Sequence, residues 1–250
     1  MTTAQLAKQR LWAIVAYTLR SRIGPRRWVG CLLPCGGALL FGLLAHAIDQ
    51  PADEAFARVA ADGIFALVVP VAALVIGDAV LGAEVRSGVF HFTWLSPAPL
   101  TEVAIGRWAG GMIVASVTIV PACALAPVIA GDGASMGAAA LASFAGAAAY
   151  VAIFITFGCI ARRTAVWSLA FVFFVERLLG AALTGIAQWS PTWLSRSVFV
   201  GLADDPPDDL VREGIPAGGG AVVRLAVITV IALAIARWRL SRIRMSGASD

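Results

Sequence analysis

The chain has 250 residues, 60% of them hydrophobic and only 14% charged, with net charge +4 and a mean hydropathy of +0.85. A soluble domain averages about 45–50% apolar and about 25% charged residues. The excess is too large for a bigger core to absorb, so a soluble fold is excluded and the chain reads as one integral membrane domain. No G-x-x-x-x-G-K-S/T segment is present, which excludes nucleotide binding by a P-loop.

Residues 4–22 place Leu11, Ile14, Val15 and Thr18 on one helical face, with Lys8, Arg10, Arg20 and Arg22 around them. This pattern predicts a basic amphipathic helix lying on the membrane surface. Gly24-Pro25 ends it, and Arg26-Arg27 mark the interface. No short apolar core with a small-residue cleavage site follows, so a cleavable signal is not expected. Six spans are then expected, near residues 28–47, 63–81, 108–129, 136–160, 165–187 and 221–238, with an acidic loop at 48–62. The organisation is therefore an all-α domain: 1–27 as the amphipathic helix, 28–240 as the six spans, and 241–250 as a basic tail.

Charge gives the orientation. Fourteen of the 19 basic residues fall on the side of the two termini and only Arg58, Arg196 and Arg212 on the other. The positive-inside rule puts both termini in the cytoplasm. One lysine and no asparagine read as a GC-rich bacterial composition, so the expected location is a bacterial inner membrane. Cys31, Cys35, Cys123 and Cys159 all sit in apolar runs without accompanying ligands and read as packing residues. His46 and His91 show no H-E-x-x-H spacing, and Asp204 to Asp209 is broken by Pro206-Pro207 without an EF-hand pattern. No metal site and no nucleic-acid partner are expected.

Between the second and third spans, the stretch Gly77–Trp108 is polar and helix-compatible, with a corner at Pro97 and Pro99. Val85, Val89 and Phe92 fall on one face, while Glu84, Arg86, Ser87 and His91 offer polar contacts. Ser96-Pro97 stops this helix. Thr101 is placed to cap a second one, with Glu102 in its first turn.

Glu84, Gly88, Leu95-Ser96-Pro97 and Gly106-Arg107 together resemble the ABC-2 type family of ABC transporter permeases. The six spans, the interface helix and a region before the last span that enters without crossing resemble it too. The resemblance implies a coupling helix between spans two and three, seated in a separate cytoplasmic ABC ATPase. It assigns that contact to Glu84, Arg86, Gly88, Val89, Phe92, Leu95, Ser96 and Pro97. It also implies two ATPase copies, a second permease copy (the same chain or a related one), and ATP with Mg on the partner. No cofactor is expected in this chain.

Glu176-Arg177 fall inside the fifth span, where charges are costly and rarely face lipid. They point about 100° apart on a helix and need separate partners. Two readings stand: a polar lining of a translocation path, or an interhelical ion pair fixing the bundle. Trp189 and Trp193 are expected to share a helix face at the outer interface, with Pro191 opening a short dipping helix. The resemblance implies that this region closes the outer mouth.

The expected function is the permease subunit of an ATP-driven exporter of a drug, peptide or lipid-like substrate, with no chemistry of its own. A proton-coupled carrier using Glu176 is the alternative. An intramembrane enzyme fits less well, because the histidines and acids are scattered.

Overall fold

A computed structural model describes residues 3–22, 25–87, 90, 98–160, 163–203 and 206–242. All regular structure among them is helical. Helix α1 (Thr3–Tyr17) runs into a π-helical turn, Thr18–Arg22. It is followed by α2 (Pro25–His46), α3 (Ala52–Arg86), α4 (Leu100–Ala130), α5 (Met136–Ile160) and α6 (Thr164–Ala182). The short helix α7 (Pro191–Val200) and then α8 (Gly219–Leu240) complete the chain. Five of these, α3 to α6 and α8, are long and apolar enough to cross a membrane. In α2 the apolar stretch is the shorter Leu32–His46.

The expected acidic loop at 48–62 is corrected. Helix α3 starts at Ala52, behind Pro51, and continues unbroken into the apolar run. Asp53 and Glu54 sit in its first turn, where negative charge is favoured. Ala55, Phe56 and Ala57 are buried, and the Phe56 ring meets Phe199 of α7 at 5.8 Å. The polar residues that suggested a loop are the outer face of an amphipathic first turn.

Helix α5 is the axis. Its 25 residues span about 37 Å, and α3, α4, α7 and α8 all pack on it. The packing is close because the contacts are small: a Cβ on Gly77 would sit 2.8 Å from the Phe154 Cβ, and one on Gly158 would sit 3.0 Å from the Gly82 Cα. Without a solvent-driven hydrophobic force inside a bilayer, such backbone approach supplies the dispersion energy that holds helices together. Toward the edge the character reverses. The most apolar windows of α3 and α5 are 72% buried, those of α6 and α8 only 22% and 28%. Phe174, Leu178, Val223 and Val230 face outward there, as a bilayer requires.

Three interruptions shape the long helices. Thr118, at φ −107° and ψ −78°, divides α4, and Pro121 cannot supply the amide that would bond the Val117 carbonyl. Gly131 ends α4 at φ +99°, a left-handed position that a side chain would strain. Segments Ala60–Val68, Asp78–Gly82 and Phe171–Leu179 are π-helical, and each of the last two carries a carboxylate, Asp78 and Glu176. Helix α7, 10 residues long, reaches about 15 Å, roughly half the hydrocarbon thickness. It lies against α5, α8 and the Ala60–Val68 segment without being able to cross. Its start at Pro191 follows the sequence expectation, and it ends before Gly201.

Helices α2 and α4 meet at Gly42, where a Cβ would lie 2.5 Å from the Ala126 carbonyl oxygen; a Cβ on Gly36 meets nothing within 4 Å. Gly42→Val is therefore expected to destabilise the detergent-solubilised chain by about 1–3 kcal/mol. Gly36→Val is expected to leave the thermal midpoint unchanged, and paired melting curves distinguish the two.

Candidate functional site: two polar clusters inside the bundle

The first cluster frames the stretch between α3 and α4. Glu84, in the last turn of α3, accepts a hydrogen bond from Arg107 Nη2 at 2.6 Å, and both side chains are 1% exposed. Arg107 sits two turns into α4, so the pair ties the two helices together just inside their connection. Its Nη1 reaches Thr18 Oγ1 at 3.4 Å, and the Tyr17 ring lies 4.8 Å from the guanidinium. Helix α1 thus closes over the pair. It can approach because Gly106 and Gly110, four residues apart on α4, face Ile14 and Thr18. At the rim, Arg10 donates to both Glu102 oxygens at 2.9 and 3.0 Å.

A third ion pair lies at the same end of α3. Arg86 donates to Asp78 through Nη1 at 2.5 Å and Nη2 at 2.8 Å, and to Thr164 Oγ1 at 3.1 Å. The bidentate geometry fixes the guanidinium plane, and the hydroxyl carries the link from α3 to the start of α6. The residues before and after the 87–99 stretch are therefore anchored in α1, α3, α4 and α6.

These positions amend the outward grip expected from the sequence. Glu84 turns into the bundle, Arg86 stays exposed, and both are occupied by partners in the same chain. The other residues assigned to that grip, Gly88, Val89, Phe92, Leu95, Ser96 and Pro97, lie outside the described residues. So does most of the coupling helix they would form. Helix α4 starts at Leu100 behind Pro99, so Pro99 and not Thr101 holds its N-cap, while Glu102 occupies the first turn as expected.

The second cluster surrounds Glu176. This carboxylate is 1% exposed and accepts hydrogen bonds from three hydroxyls: Tyr150 on α5, Thr192 Oγ1 at 3.1 Å and Ser190 Oγ at 3.0 Å. Tyr150 and Thr192 are also joined, at 2.6 Å. Ser190 and Thr192 belong to the first turn of α7, whose dipole favours a negative group at that end. Trp193 Nε1 adds a bond to the Glu176 carbonyl at 3.4 Å. Glu176 therefore anchors the short helix within the bundle.

Arg177 points elsewhere, as the helical offset requires. It donates to the Asp62 carbonyl at 3.1 Å, with the Asp62 carboxylate at 3.9 Å, and both side chains are largely exposed. The two charges make no common site, and the interhelical ion pair belongs to Arg177 alone. Trp189 and Trp193 do not share a helix face, because Trp189 precedes the Ser190 N-cap. Trp189 stacks on Arg224 at 5.6 Å, and Trp193 lies between Arg196 at 5.2 Å and Arg212 at 4.6 Å. Arg212 in turn donates to the Gly180 and Ala181 carbonyls at 2.9 and 3.0 Å, satisfying the end of α6.

Sequence reasoning missed Tyr150, Ser190 and Thr192. Tyr150 is one of only two tyrosines and stands in an otherwise apolar span, which is a usable signal. The separations of 14 to 42 residues between the hydrogen-bonded pairs carry none.

No protein-family model matches the chain, and no curated protein does.

Removing one member of the buried Glu84–Arg107 pair strands the other in a water-poor interior. Arg107→Met is expected to cost about 3–5 kcal/mol, and the double variant Glu84→Leu/Arg107→Met markedly less than either single change. Denaturant unfolding in detergent measures the difference. For the second cluster, Glu176→Gln keeps an acceptor oxygen, adds an amide donor that a hydroxyl can accept, and is expected to preserve α7. Glu176→Leu is expected to release it, read as faster proteolysis between residues 183 and 218.

Proposed function

We propose that this chain is the membrane-embedded permease of an ATP-driven exporter of the ABC-2 type, energised by a separate cytoplasmic ATPase. One observation carries this reading: the stretch at 87–99 joins two membrane helices whose adjoining ends are locked by charged pairs, Glu84–Arg107 within the bundle and Arg10–Glu102 at its rim. A partner that moves that stretch displaces α1, α3 and α4 together, because breaking the buried pair is costly. Glu84 then acts as the transmission joint, and Phe92 and Leu95 as the surface the ATPase grips. ATP and Mg belong to that partner.

Further features support the same reading. Counting α2, with its 22 residues, gives six spans. The basic residues gather on the side of the 87–99 stretch, which by the positive-inside rule supports a cytoplasmic location for it and for both termini. Helix α7, held by Glu176, enters from the opposite side and is suited to close the outer mouth. Two copies, facing each other across a central path, form the working unit, and drugs, peptides or lipid-like molecules are its substrate class.

A second reading is a proton-coupled carrier, favoured by the buried Glu176 with Tyr150 and two further hydroxyls around it. Proteoliposomes separate the two. With the proton gradient dissipated, transport that needs the ATPase and ATP supports the exporter; transport that needs only the gradient supports the carrier. Within the exporter reading, Phe92→Ala is expected to lower transport per ATP by roughly 2- to 30-fold, the equivalent of about 0.5–2 kcal/mol of coupling. Unchanged transport per ATP would sink the assignment of the 87–99 stretch.

A further inference from the structure

Helix α8 carries its charges outward, at the opposite extreme from the buried pairs. Its 22 residues, Gly219–Leu240, rise about 33 Å, close to the hydrocarbon thickness of a bilayer, so its last turn sits at the membrane–water interface. Val227, Ile231, Ile235 and Trp238 are all exposed and recur every three or four residues. That spacing holds them in a stripe about 80° wide along the outer face of the helix. The Arg242 amide donates to the Arg239 carbonyl at 2.9 Å, which continues the turn past Leu240 and adds Arg242 to the same row. The Arg242 guanidinium lies 4.4 Å from the centre of the Trp238 ring and that of Arg239 lies 5.8 Å from it. Two cations thus converge on one exposed indole, at the head of an apolar stripe.

Among the described residues no carboxylate pairs with either of them. The end of α8 lies beside the ends of α5 and α3: Thr156 Oγ1 of α5 donates to the Ala232 carbonyl at 2.8 Å, the charge of Arg239 reaches Cys159, and a Cβ on Gly158 would meet Gly82. The described carboxylates near this end, Asp78, Glu84 and Glu102, are already held by Arg86, Arg107 and Arg10. A guanidinium resting by its face on an aromatic ring keeps its edge N–H groups for a bidentate acceptor, and phosphate fits that fork. A phospholipid supplies what the row lacks. Its acyl chain covers the stripe, its glycerol lies level with Trp238, and its phosphate bonds the two arginines. A headgroup with net negative charge is favoured over a zwitterionic one, which would bring a further cation to a place that holds two.

We infer that the end of α8 binds one anionic phospholipid of the surrounding bilayer, with its phosphate held by Arg239 and Arg242 beside Trp238. The site does not depend on the exporter reading: it belongs to the chain whether or not an ATPase drives it.

Native mass spectrometry of the full-length chain, with dioleoylphosphatidylglycerol or dioleoylphosphatidylcholine added in equal amounts, tests the site. The first phosphatidylglycerol is expected to bind at least ~5-fold more tightly than phosphatidylcholine. Arg239→Gln and Arg242→Gln are each expected to weaken it about 5-fold and together roughly 30-fold, the equivalent of about 1 kcal/mol per cation at a membrane surface. Arg237→Gln removes a charge from the same turn, but one that points about 100° away from Trp238; its effect is expected to stay below about 2-fold. Inorganic phosphate at the same concentration is expected to leave lipid uptake unchanged. Equal uptake of the two lipids by wild-type chain would overturn the inference, and so would retained affinity in the double variant. An Arg237→Gln loss as large as that of the double variant would reduce the site to unspecific charge, and displacement by phosphate would make the anion's source a soluble one; either overturns it. Should the double variant not yield folded protein, Arg242→Gln, which lies beyond the last helical residue, decides alone: retained affinity overturns the site and lost affinity upholds it.

Discussion

A charge taken out of water has to find its opposite, and inside this bundle that rule fixes the geometry of one whole end. Glu84 and Arg107 lie 23 residues apart in sequence, on helices that leave and re-enter the membrane region. Isolated, either would be expelled or neutralised. Joined at 2.6 Å they hold α3 and α4 in one register. The pair also explains α1. A basic amphipathic helix has an apolar face to bury, and here it buries that face over Gly106 and Gly110, where Tyr17 and Thr18 complete the surroundings of the guanidinium. The surface helix is thereby part of the joint.

The Glu176 cluster solves the same problem differently. Among the described residues no cation pairs with it. Three hydroxyls and a helix N-terminus supply the hydrogen bonds that water would otherwise provide. Its cost is borne by two elements: α5 contributes Tyr150, and α7 contributes Ser190 and Thr192. A helix too short to cross a bilayer therefore has a polar reason to stay in the bundle, and Trp193 and Arg212 tie the same helix to the end of α6. Of the carboxylates at π-helical segments Asp62 is exposed, whereas Asp78 and Glu176 are engaged by partners within the chain. The wider turn adds one residue and re-aims the side chain, which places the carboxylate where the partner is.

Much of this was readable in the residues before any fold was known. The apolar run at 136–160 coincides with α5, and Pro191 opens α7 as its fixed φ favours. Glu176 and Arg177 diverge because adjacent helical residues must. Other features were hidden for physical reasons. Asp53 and Glu54 imitate a loop, yet they lie in the first turn of α3, because Phe56 on the inner face meets Phe199 from α7, 143 positions further along the chain. Glu84 looks outward on a helical wheel of its own stretch. Only the arrival of Arg107 turns it inward.

The sequence by itself determined the membrane class, nearly every helix, the asymmetry of charge and the need of Glu176 for a partner inside the bundle. Those follow from local chemistry: hydropathy over about 20 residues, proline and glycine at the breaks, and the energetic penalty of an ionised group in hydrocarbon. Tertiary structure alone decided the partners. Glu84 with Arg107, and Glu176 with Tyr150, Ser190 and Thr192, depend on which helix faces which. That choice is set by the fit of small residues such as Gly77 to Phe154 and Gly42 to Ala126. Such fit is a property of two surfaces meeting, and no single stretch of chain encodes it.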